Sequence, residues 1–446
     1  MRTCAGSIPR TMVRSTFFTF LLIVSCAAIP VNNYDSAAIP YDPGFDIRAV
    51  IRTAVTLPIH SWEFGTASEA LLELYDAKYS VYGSKPFPVP TINLEDSKSL
   101  TYAKQKIVIG AGQNALSDGD GAVGDPASLG VSAVLLGKTL PEYAKAAKVQ
   151  AEYVYGSAPR YWNGAISHRA DHPELWWVFC MWYSIWYSYR FSRADFIYMA
   201  PPFLAYYGVA TDNATTLKEA VDQCLLYRQI LHTNTTANAQ PPETHPPMAS
   251  GLWQHIIGPS WGDHGLWSTG NAWAAAGMTR VLATLLKAPT HLCGSWKQEA
   301  VERLTKTIQE ILDAVIRNPK DTNGLVRNYI DDSSWFGEVS GSSLFASVAY
   351  RIGTMSPMLT LNGCILKPDD VVKYIAFAEG VRKTLGNGQH ISSNGTVTPA
   401  INPLNWGDRQ PFTQGSPEGN NFVVLLYAAW RDCIRAGIPG CEAPYS

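Results

Sequence analysis

Apolar residues recur at the spacing of an α-helix along most of the chain. Eleven segments show this period, and loops rich in Gly, Pro, Asn and Asp separate them. Alternation typical of strands is nearly absent. The segments span residues 46–57, 66–80, 127–137, 141–155, 197–207, 214–231, 270–287, 295–318, 340–355, 369–387 and 420–437. This pattern predicts an all-α protein.

The distribution of charge divides these helices into two kinds. Residues 271–287 carry two charges, whereas residues 296–317 carry eight on an amphipathic pattern, and the two segments that follow repeat the contrast. Alternating enclosed and solvent-facing helices are what two concentric rings of helical hairpins require. We therefore predict an (α/α)6 toroid of six hairpins, with its twelfth helix within residues 98–108 or 156–196. An α-solenoid is the alternative, but no fixed repeat period supports it.

The N-terminus has the features of an export signal. Three arginines precede an apolar run at residues 17–24, and the small residues at 25–27 suit cleavage. The run is too short to span a bilayer. We predict a signal peptide over residues 1–28, an extended lead-in over 29–44 and a single domain over 45–446. The mature protein is then secreted, extracellular and without a membrane anchor.

Glycosylation triplets and cysteines agree with export. The triplets begin at Asn213, Asn234 and Asn394. Six of the eight cysteines follow the signal, and none has CxxC spacing, which argues against zinc and thioredoxin-like sites. Disulfides are the expected state in the exported protein. Cys433 and Cys441 form the nearest pair, although spacing leaves the pairing open.

Composition limits the partners. A net charge of -2 with 16% charged residues leaves no basic stripe to neutralise phosphates, which argues against nucleic acid as a partner. The 14 Trp and 22 Tyr suit either a cleft that holds sugar rings or a large aromatic core. No residue spacing indicates a metal site or an organic cofactor, and the oligomeric state stays open.

One carboxylate, Asp195, begins the otherwise uncharged run DFIYMAPPFLAYYG. If it is buried with that run, its pKa is raised and it can donate and accept a proton near neutral pH. The alternative is a helix N-cap, because Asp is among the preferred capping residues and Pro201 and Pro202 suit a first helical turn. An acidic cluster near residue 120 does not form a calcium loop, because its twelfth position is Leu129 rather than Glu.

Several motifs resemble those of the six-hairpin glycosidases that hydrolyse unsaturated uronides, in their fungal-type branch. They are DFIYMAPPFLAYYG, NGAISHR, LWQH, WSTGNAW, EVSGS and SPEGNNF. The matches cover about residues 110–435. This resemblance implies an oligosaccharide substrate, Asp195 as the catalytic acid and base, and Asp125, five residues before Gly130, as a second active-site carboxylate. A helix N-cap is the alternative for Asp125.

The same resemblance implies further site residues. Arg169, in NGAISHR, either pairs with a carboxylate or forms a structural salt bridge. The residues implied to contact substrate are His255, Trp267, Thr269, Asn271, Trp273, Glu338, Trp406 and Glu418. Taken alone, His255 would be a structural histidine and Glu338 a helix cap.

Two positions depart from the family pattern. Thr269 stands where the family carries Arg, the side chain suited to bidentate pairing with a uronate carboxylate. Asn420 stands where the family carries Gln. Either another cation binds the carboxylate or the substrate differs, and we expect Thr269→Arg to improve the handling of an unsaturated uronide.

The resemblance implies a reaction that needs neither a metal nor an organic cofactor. Asp195 would protonate the enol ether at C4 of a 4,5-unsaturated uronide and then help water to add at C5. Two alternatives stay open. One is an inverting glycosidase on the same fold, with Asp125 as the second carboxylate. The other is a non-catalytic carbohydrate-binding protein.

An aromatic stretch at residues 177–193 has no counterpart in the family pattern. Its removal joins Trp176 to Ala194, which is the junction that the pattern shows. The uncharged part at residues 175–189 is shorter than a membrane helix and has no clean period. We favour a retained in-frame intron, and a lid over Asp195 is the alternative.

Overall fold

The computed structural model describes residues 37–170, 192–233, 247–258, 262–364, 366–441 and 443. These residues form fourteen α-helices and one pair of two-residue strands. The helices are α1 (Ile47–Thr56), α2 (Ser61–Tyr75), α3 (Lys98–Lys106), α4 (Gly124–Ala127), α5 (Gly130–Leu136), α6 (Pro141–Glu152), α7 (Phe196–Ala210), α8 (Ala214–Leu231), α9 (Ser268–Lys287), α10 (Thr290–Cys293), α11 (Lys297–Arg317), α12 (Val339–Leu361), α13 (Pro368–Leu385) and α14 (Pro417–Arg435). The strands β1 (Ser192–Arg193) and β2 (Ile256–Ile257) pair antiparallel.

The helices form two concentric rings. The inner ring runs from α2 through α4 and α5 to α7, α9, α12 and α14, and α14 packs back against α2 to close it. An outer helix packs on each inner position: α3, α6, α8, α11, α13 and α1 in the same order. The (α/α)6 toroid is therefore confirmed, and α3 is the twelfth helix expected within residues 98–108.

Burial follows the contrast in charge between the two rings. Helix α9 is buried from Ser268 to Leu286, whereas α11 buries only the apolar side of its amphipathic sequence. The few charges on inner helices are paired across the core. Arg280 of α9 binds Glu69 of α2 at 2.7 Å, and Arg351 of α12 binds Glu73 of α2 at 2.6 Å. These buried pairs tie α2 to inner helices that are not its neighbours in the ring, and loss of one partner would strand a buried charge.

The ends of several helices differ from the prediction for local reasons. The segment 127–137 divides into α4 and α5. Helix α2 begins at Ser61 because Glu63 accepts hydrogen bonds from the backbone N–H groups of Ile59 at 2.6 Å and His60 at 2.9 Å. These bonds satisfy donors that a helix start leaves free.

Cysteine pairing and the chain ends complete the description. Cys433 and Cys441 form a disulfide, and Cys224, Cys293 and Cys364 are buried as free thiols. The predicted signal peptide lies outside the described residues, as do Asn234 and most of the aromatic stretch at 177–193. In the described part of the chain, no helix combines the length and the apolar character needed to cross a bilayer.

Candidate active site

One cavity of about 590 Å³ opens where the N-terminal ends of five inner-ring helices converge. Its lining residues stand at or just before the starts of α2, α4, α7, α9 and α14, and the loops that lead into those helices complete the wall. The predicted site residues Asp125, Asp195, His255, Trp267, Trp273 and Glu418 all line this cavity. The ring closure therefore brings together residues far apart in the sequence.

Asp195 directly precedes α7 but does not cap it. Its side chain makes no capping hydrogen bond, and its backbone has helical dihedral angles. Its Oδ1 atom is buried and finds no hydrogen-bond partner among the described residues. Such an atom carries a desolvation cost unless a ligand supplies the missing donor. The capping interpretation of Asp195 is wrong, and the carboxylate instead faces the cavity.

Asp125 is the second carboxyl group that the family motifs place in this cavity, and Asp118 and Asp120 also line it. Asp125 lies inside α4 and makes no capping hydrogen bond, so its capping interpretation is also wrong. Burial, and then the negative charge of Asp195, raises the pKa of Asp125 to about 7. The cavity thus holds two carboxyl groups whose charges influence each other.

His255 is held by an acidic partner and by aromatic rings. Its Nδ1 lies 2.8 Å from Oδ2 of Asp263, and Tyr329 donates to the same oxygen at 2.5 Å. Burial lowers the pKa of His255. Burial is the largest single effect on the pKa of Asp263 and raises it, but His255, Tyr329 and the backbone N–H of Gly265 together outweigh it and the net shift is downward. A neutral His255 that donates from Nδ1 leaves Nε2 as an acceptor.

Tryptophans form the apolar wall of the cavity. Trp62, Trp267 and Trp273 line it. Trp406 does not line the cavity but packs behind the wall, with its ring centroid 4.9 Å from that of His255 and 6.4 Å from that of Trp267. Flat aromatic faces beside carboxylates are the surfaces on which sugar rings pack.

Three predicted contact residues support the cavity instead of lining it. Glu338 caps α12: its carboxylate accepts from the backbone N–H of Ser340 and of Gly341, both at 2.6 Å. The same carboxylate accepts from Ser268 at 2.7 Å and from Thr269 at 3.2 Å. Asn271 bonds to the backbone of Trp253 at 2.7 and 2.8 Å. The expectation that Thr269, Asn271 and Glu338 contact substrate is therefore corrected, because their polar atoms join α9 to its neighbours.

Glu418 lines the cavity beside Trp62. It accepts from the indole N–H of Trp62 at 2.8 Å and from Ser416 at 3.3 Å. Burial, and then the charge of Glu63, raises the pKa of Glu418. This third carboxyl group holds the Trp62 indole in place.

Four lining residues with a His, Trp or Arg side chain were not among the predicted site residues. His60 and Trp62 stand at the start of α2, with their rings stacked at 4.6 Å. An aromatic residue at the start of an inner helix, as in WSTGNAW, is the signal that could have found Trp62. His168 is buried, and burial lowers its pKa to about 4. Arg193 fell within the stretch interpreted as an insertion, although it lines the cavity together with the predicted Arg169.

Metal ligands and glycosylation positions can be placed in the same way. Across the described residues, no group of three or more His, Cys, Asp or Glu side chains could hold a metal ion. Asn394 is exposed, and Asn213 caps α8 by accepting from the backbone N–H of Thr216 at 3.0 Å. The side-chain nitrogen of Asn213, which would carry a glycan, takes no part in that bond.

Comparison with known proteins agrees with this architecture. The sequence profile of Glycosyl Hydrolase Family 88 matches residues 137–352. No curated protein sequence matches the chain. The matched residues carry Asp195 and α9 and make up slightly less than half of the chain, and together with the (α/α)6 toroid they support a glycoside hydrolase of the six-hairpin type. Its placement in the fungal-type branch stays a prediction.

Solved structures with low sequence identity share the fold. A possible member of the GH105 family from Salmonella enterica serovar Paratyphi A has 16% identity and a TM-score of 0.58, with 86% of this chain and 92% of that chain covered. A family 105 glycoside hydrolase from C. acetobutylicum has 12% identity and a TM-score of 0.61, with 86% and 99% covered. An unsaturated glucuronyl hydrolase specific for heparin has 12% identity and a TM-score of 0.55, with 90% and 99% covered.

Proposed function

We propose that the protein is a secreted glycoside hydrolase that acts on unsaturated uronide oligosaccharides. Supporting this are the resemblance of the site motifs and the shared fold of an unsaturated glucuronyl hydrolase specific for heparin. The observation that carries the proposal is the pairing of Asp195 with Asp125 in one aromatic-walled cavity. One carboxyl has an oxygen without a partner, and the other has a pKa of about 7.

Asp195 is the group that reacts with the double bond. It donates a proton to C4 of the enol ether, and the positive charge that develops at C5 is taken up by the oxygen of water. The proton lost by that water returns to the carboxylate, so one carboxyl serves first as acid and then as base. The resulting hemiketal opens and releases the next sugar, with one water consumed for each double bond lost.

Asp125 controls the charge of the site. Two ionised carboxylates in one low-dielectric cavity repel each other, which is the second cause of its raised pKa. When Asp125 is protonated, the cavity carries one negative charge less than when both Asp125 and Asp195 are ionised. The site then accepts an anionic substrate more readily.

A second candidate function follows from the same two carboxylates. An inverting glycosidase uses one carboxylic acid on the leaving oxygen and one carboxylate on water, with a separation of about 6.5–9.5 Å. Such an enzyme would cleave saturated glycosides and would not consume a conjugated double bond. A carbohydrate-binding protein without activity would bind either sugar and release nothing.

The experiment separates these functions by substrate. The purified protein is incubated with unsaturated disaccharides produced by polysaccharide lyases, from glucuronate-containing and from rhamnogalacturonan polymers, while the conjugated ultraviolet absorbance is followed. Saturated disaccharides of the same composition serve as the matched control. We expect loss of absorbance and release of the second sugar from unsaturated substrates only. Cleavage of the saturated control alone would favour the inverting glycosidase, and binding by calorimetry without product would favour the non-catalytic alternative.

Secretion is tested separately. Expression of the full chain in a eukaryotic secretory host should give protein in the medium whose N-terminus lies near residue 29. Glycosidase treatment should reduce its apparent mass, and Asn213→Gln and Asn394→Gln should each remove part of that shift. Retention of residues 1–28, or protein confined to cells, would contradict the proposed export.

A further inference from the structure

The cavity contains few positive charges that a bound anion could use. Among its described lining residues, only Arg169 and Arg193 carry a guanidinium group. Burial lowers the pKa of both His168 and His255, which disfavours a charge on these two rings. Position 269 does not line the cavity and carries Thr. His60 also lines the cavity, but the two arginines are the described lining residues whose side chains are permanently charged, and they are therefore the candidates for recognising an acidic sugar.

The structure positions Arg193 firmly at the cavity wall. Its strand β1 pairs with β2, with Arg193 opposite Ile256 and therefore next to His255. The backbone N–H of Ala194 also bonds to the carbonyl of His255 at 3.2 Å. Arg193 lies two residues before Asp195 in the sequence. These bonds attach its backbone to the segment that carries His255.

The guanidinium of Arg193 is oriented but not neutralised. It lies over the ring of Trp406, with 5.0 Å from its central carbon to the ring centroid. Its Nε atom is buried and makes no hydrogen bond within the described part of the chain, and Arg193 takes part in none of the ion pairs between described residues. Stacking on an aromatic face fixes the plane of a guanidinium and leaves its N–H edge for a carboxylate.

We propose that Arg193 binds the carboxylate of the uronide and so presents the double bond to Asp195. This inference rests on the proposed function and assigns the residue that makes the site selective for acidic sugars. The positive charge of Arg193 also acts on Asp125, whose pKa it lowers against the effect of burial. The arginine is therefore within electrostatic reach of the acidic pair. Arg169, which lines the same cavity, also makes an interaction within the protein.

The test compares two substrates that differ at the carboxyl group of the unsaturated sugar, which is charged in one and neutral in the other. One is an aryl glycoside of the 4,5-unsaturated uronic acid, and the other is its methyl ester, which keeps the double bond and loses the negative charge. The variants are Arg193→Gln, Arg193→Lys and Arg169→Gln. Arg303→Gln is the control, because Arg303 is an exposed residue of α11 that pairs only with Glu299. The ratio of kcat/KM for acid over ester is the readout.

We expect the parent to prefer the acid and Arg193→Gln to reduce that preference about 10- to 100-fold, the range for hydrogen bonds to charged groups. Turnover of the ester should change little. The ratio for Arg193→Lys should lie between those of the parent and Arg193→Gln, because Lys keeps the positive charge but lacks the planar guanidinium group. Loss of Arg193 also removes a charge that lowers the pKa of Asp125; the resulting protonation of Asp125 would favour the anionic acid, so this indirect effect cannot cause a fall in the ratio. Melting temperatures of all variants exclude misfolding as the cause.

Two results would overturn the assignment while leaving the function intact. One is a preference for the acid that survives in Arg193→Gln, and the other is a preference lost only in Arg169→Gln. If the parent hydrolyses neither substrate, the proposed function fails and binding decides the role of Arg193. Calorimetry with Asp195→Asn should then show tighter binding of acid than of ester, and adding Arg193→Gln should abolish that difference. If Asp195→Asn binds the acid and the ester equally well both with and without Arg193→Gln, the proposal is refuted.

Discussion

Asp195→Asn is the substitution that tests the site most directly. The change keeps the size of the side chain and removes its ability to give and take a proton. Since general acid-base catalysis contributes at least about 10²-fold, we expect turnover of an unsaturated uronide to fall by that factor or more. This corresponds to about 2.7 kcal/mol of transition-state stabilisation.

The structure predicts that the same substitution leaves folding nearly intact. The Asp195 side chain does not cap α7, and its Oδ1 has no hydrogen bond to lose within the described residues. Replacement by Asn also removes the negative charge that raises the pKa of Asp125. We therefore expect the free energy of unfolding to change by less than about 1 kcal/mol, below the usual cost of a core substitution.

The assay follows loss of conjugated absorbance under saturating and sub-saturating substrate, with urea denaturation of each protein beside it. Asp222→Asn is the matched control, because Asp222 is a partly exposed residue of α8 that pairs with Lys218 at 2.7 Å and does not line the cavity. Asp222→Asn should retain full activity. If Asp195→Asn keeps near-normal turnover on a substrate that the parent cleaves, the assignment of Asp195 is wrong. If it loses both activity and folding, the Asp195 side chain stabilises the fold, and the loss of activity does not assign it a catalytic role.

Three further substitutions follow from the same geometry. Because the pKa of Asp125 is raised to about 7, we expect kcat/KM to fall as the pH rises through 7. Asp125→Asn should reduce this fall, because the variant has no carboxyl proton to lose at that position. A pH profile that is unchanged in Asp125→Asn would contradict a role for the proton of Asp125. Thr269→Arg should lower the melting temperature and give no gain on uronides, because Thr269 is buried against Glu338 and overpacking costs about 1–3 kcal/mol; improved uronide turnover would restore the earlier expectation. Glu338→Ala should cost about 3 kcal/mol in urea denaturation by removing the α12 cap and stranding buried donors, with Glu338→Gln milder; equal stability would show that the cap contributes little.

The ring architecture was predictable because charge and periodicity both depend on which helices meet water. Helix α9 must exclude charge to be enclosed, and α11 must carry it to face solvent. The apolar pattern does not identify α3, because its sequence KSLTYAKQK is short and polar and has few buried positions, such as Leu100 and Ala103. Its identity as a helix depends on packing against α2, which no local pattern expresses.

The site was predictable only as far as the starts of the inner helices. Asp195, Trp267 and Glu418 stand at such starts, and the ring brings those ends to one place. Which side chain faces the cavity depends on the neighbouring helix. Thr269, two residues from Trp267, is turned to Glu338 because the start of α12 offers an acceptor there. A motif match alone carries no information about that direction.

The aromatic stretch at 177–193 and the recognition of acidic sugars are linked by Arg193. Residues 177–191 lie outside the described part of the chain, but Ser192 and Arg193 form β1, which pairs with β2 beside His255. A retained intron predicts that a form lacking 177–193 is the functional one, and that form has Arg169 as its remaining guanidinium among the described lining residues. If Arg193 binds the uronide carboxylate, the same form must lose its preference for acid over ester. The deletion therefore cannot be silent unless the assignment of Arg193 is wrong, so transcript sequencing and the substrate pair together decide both questions.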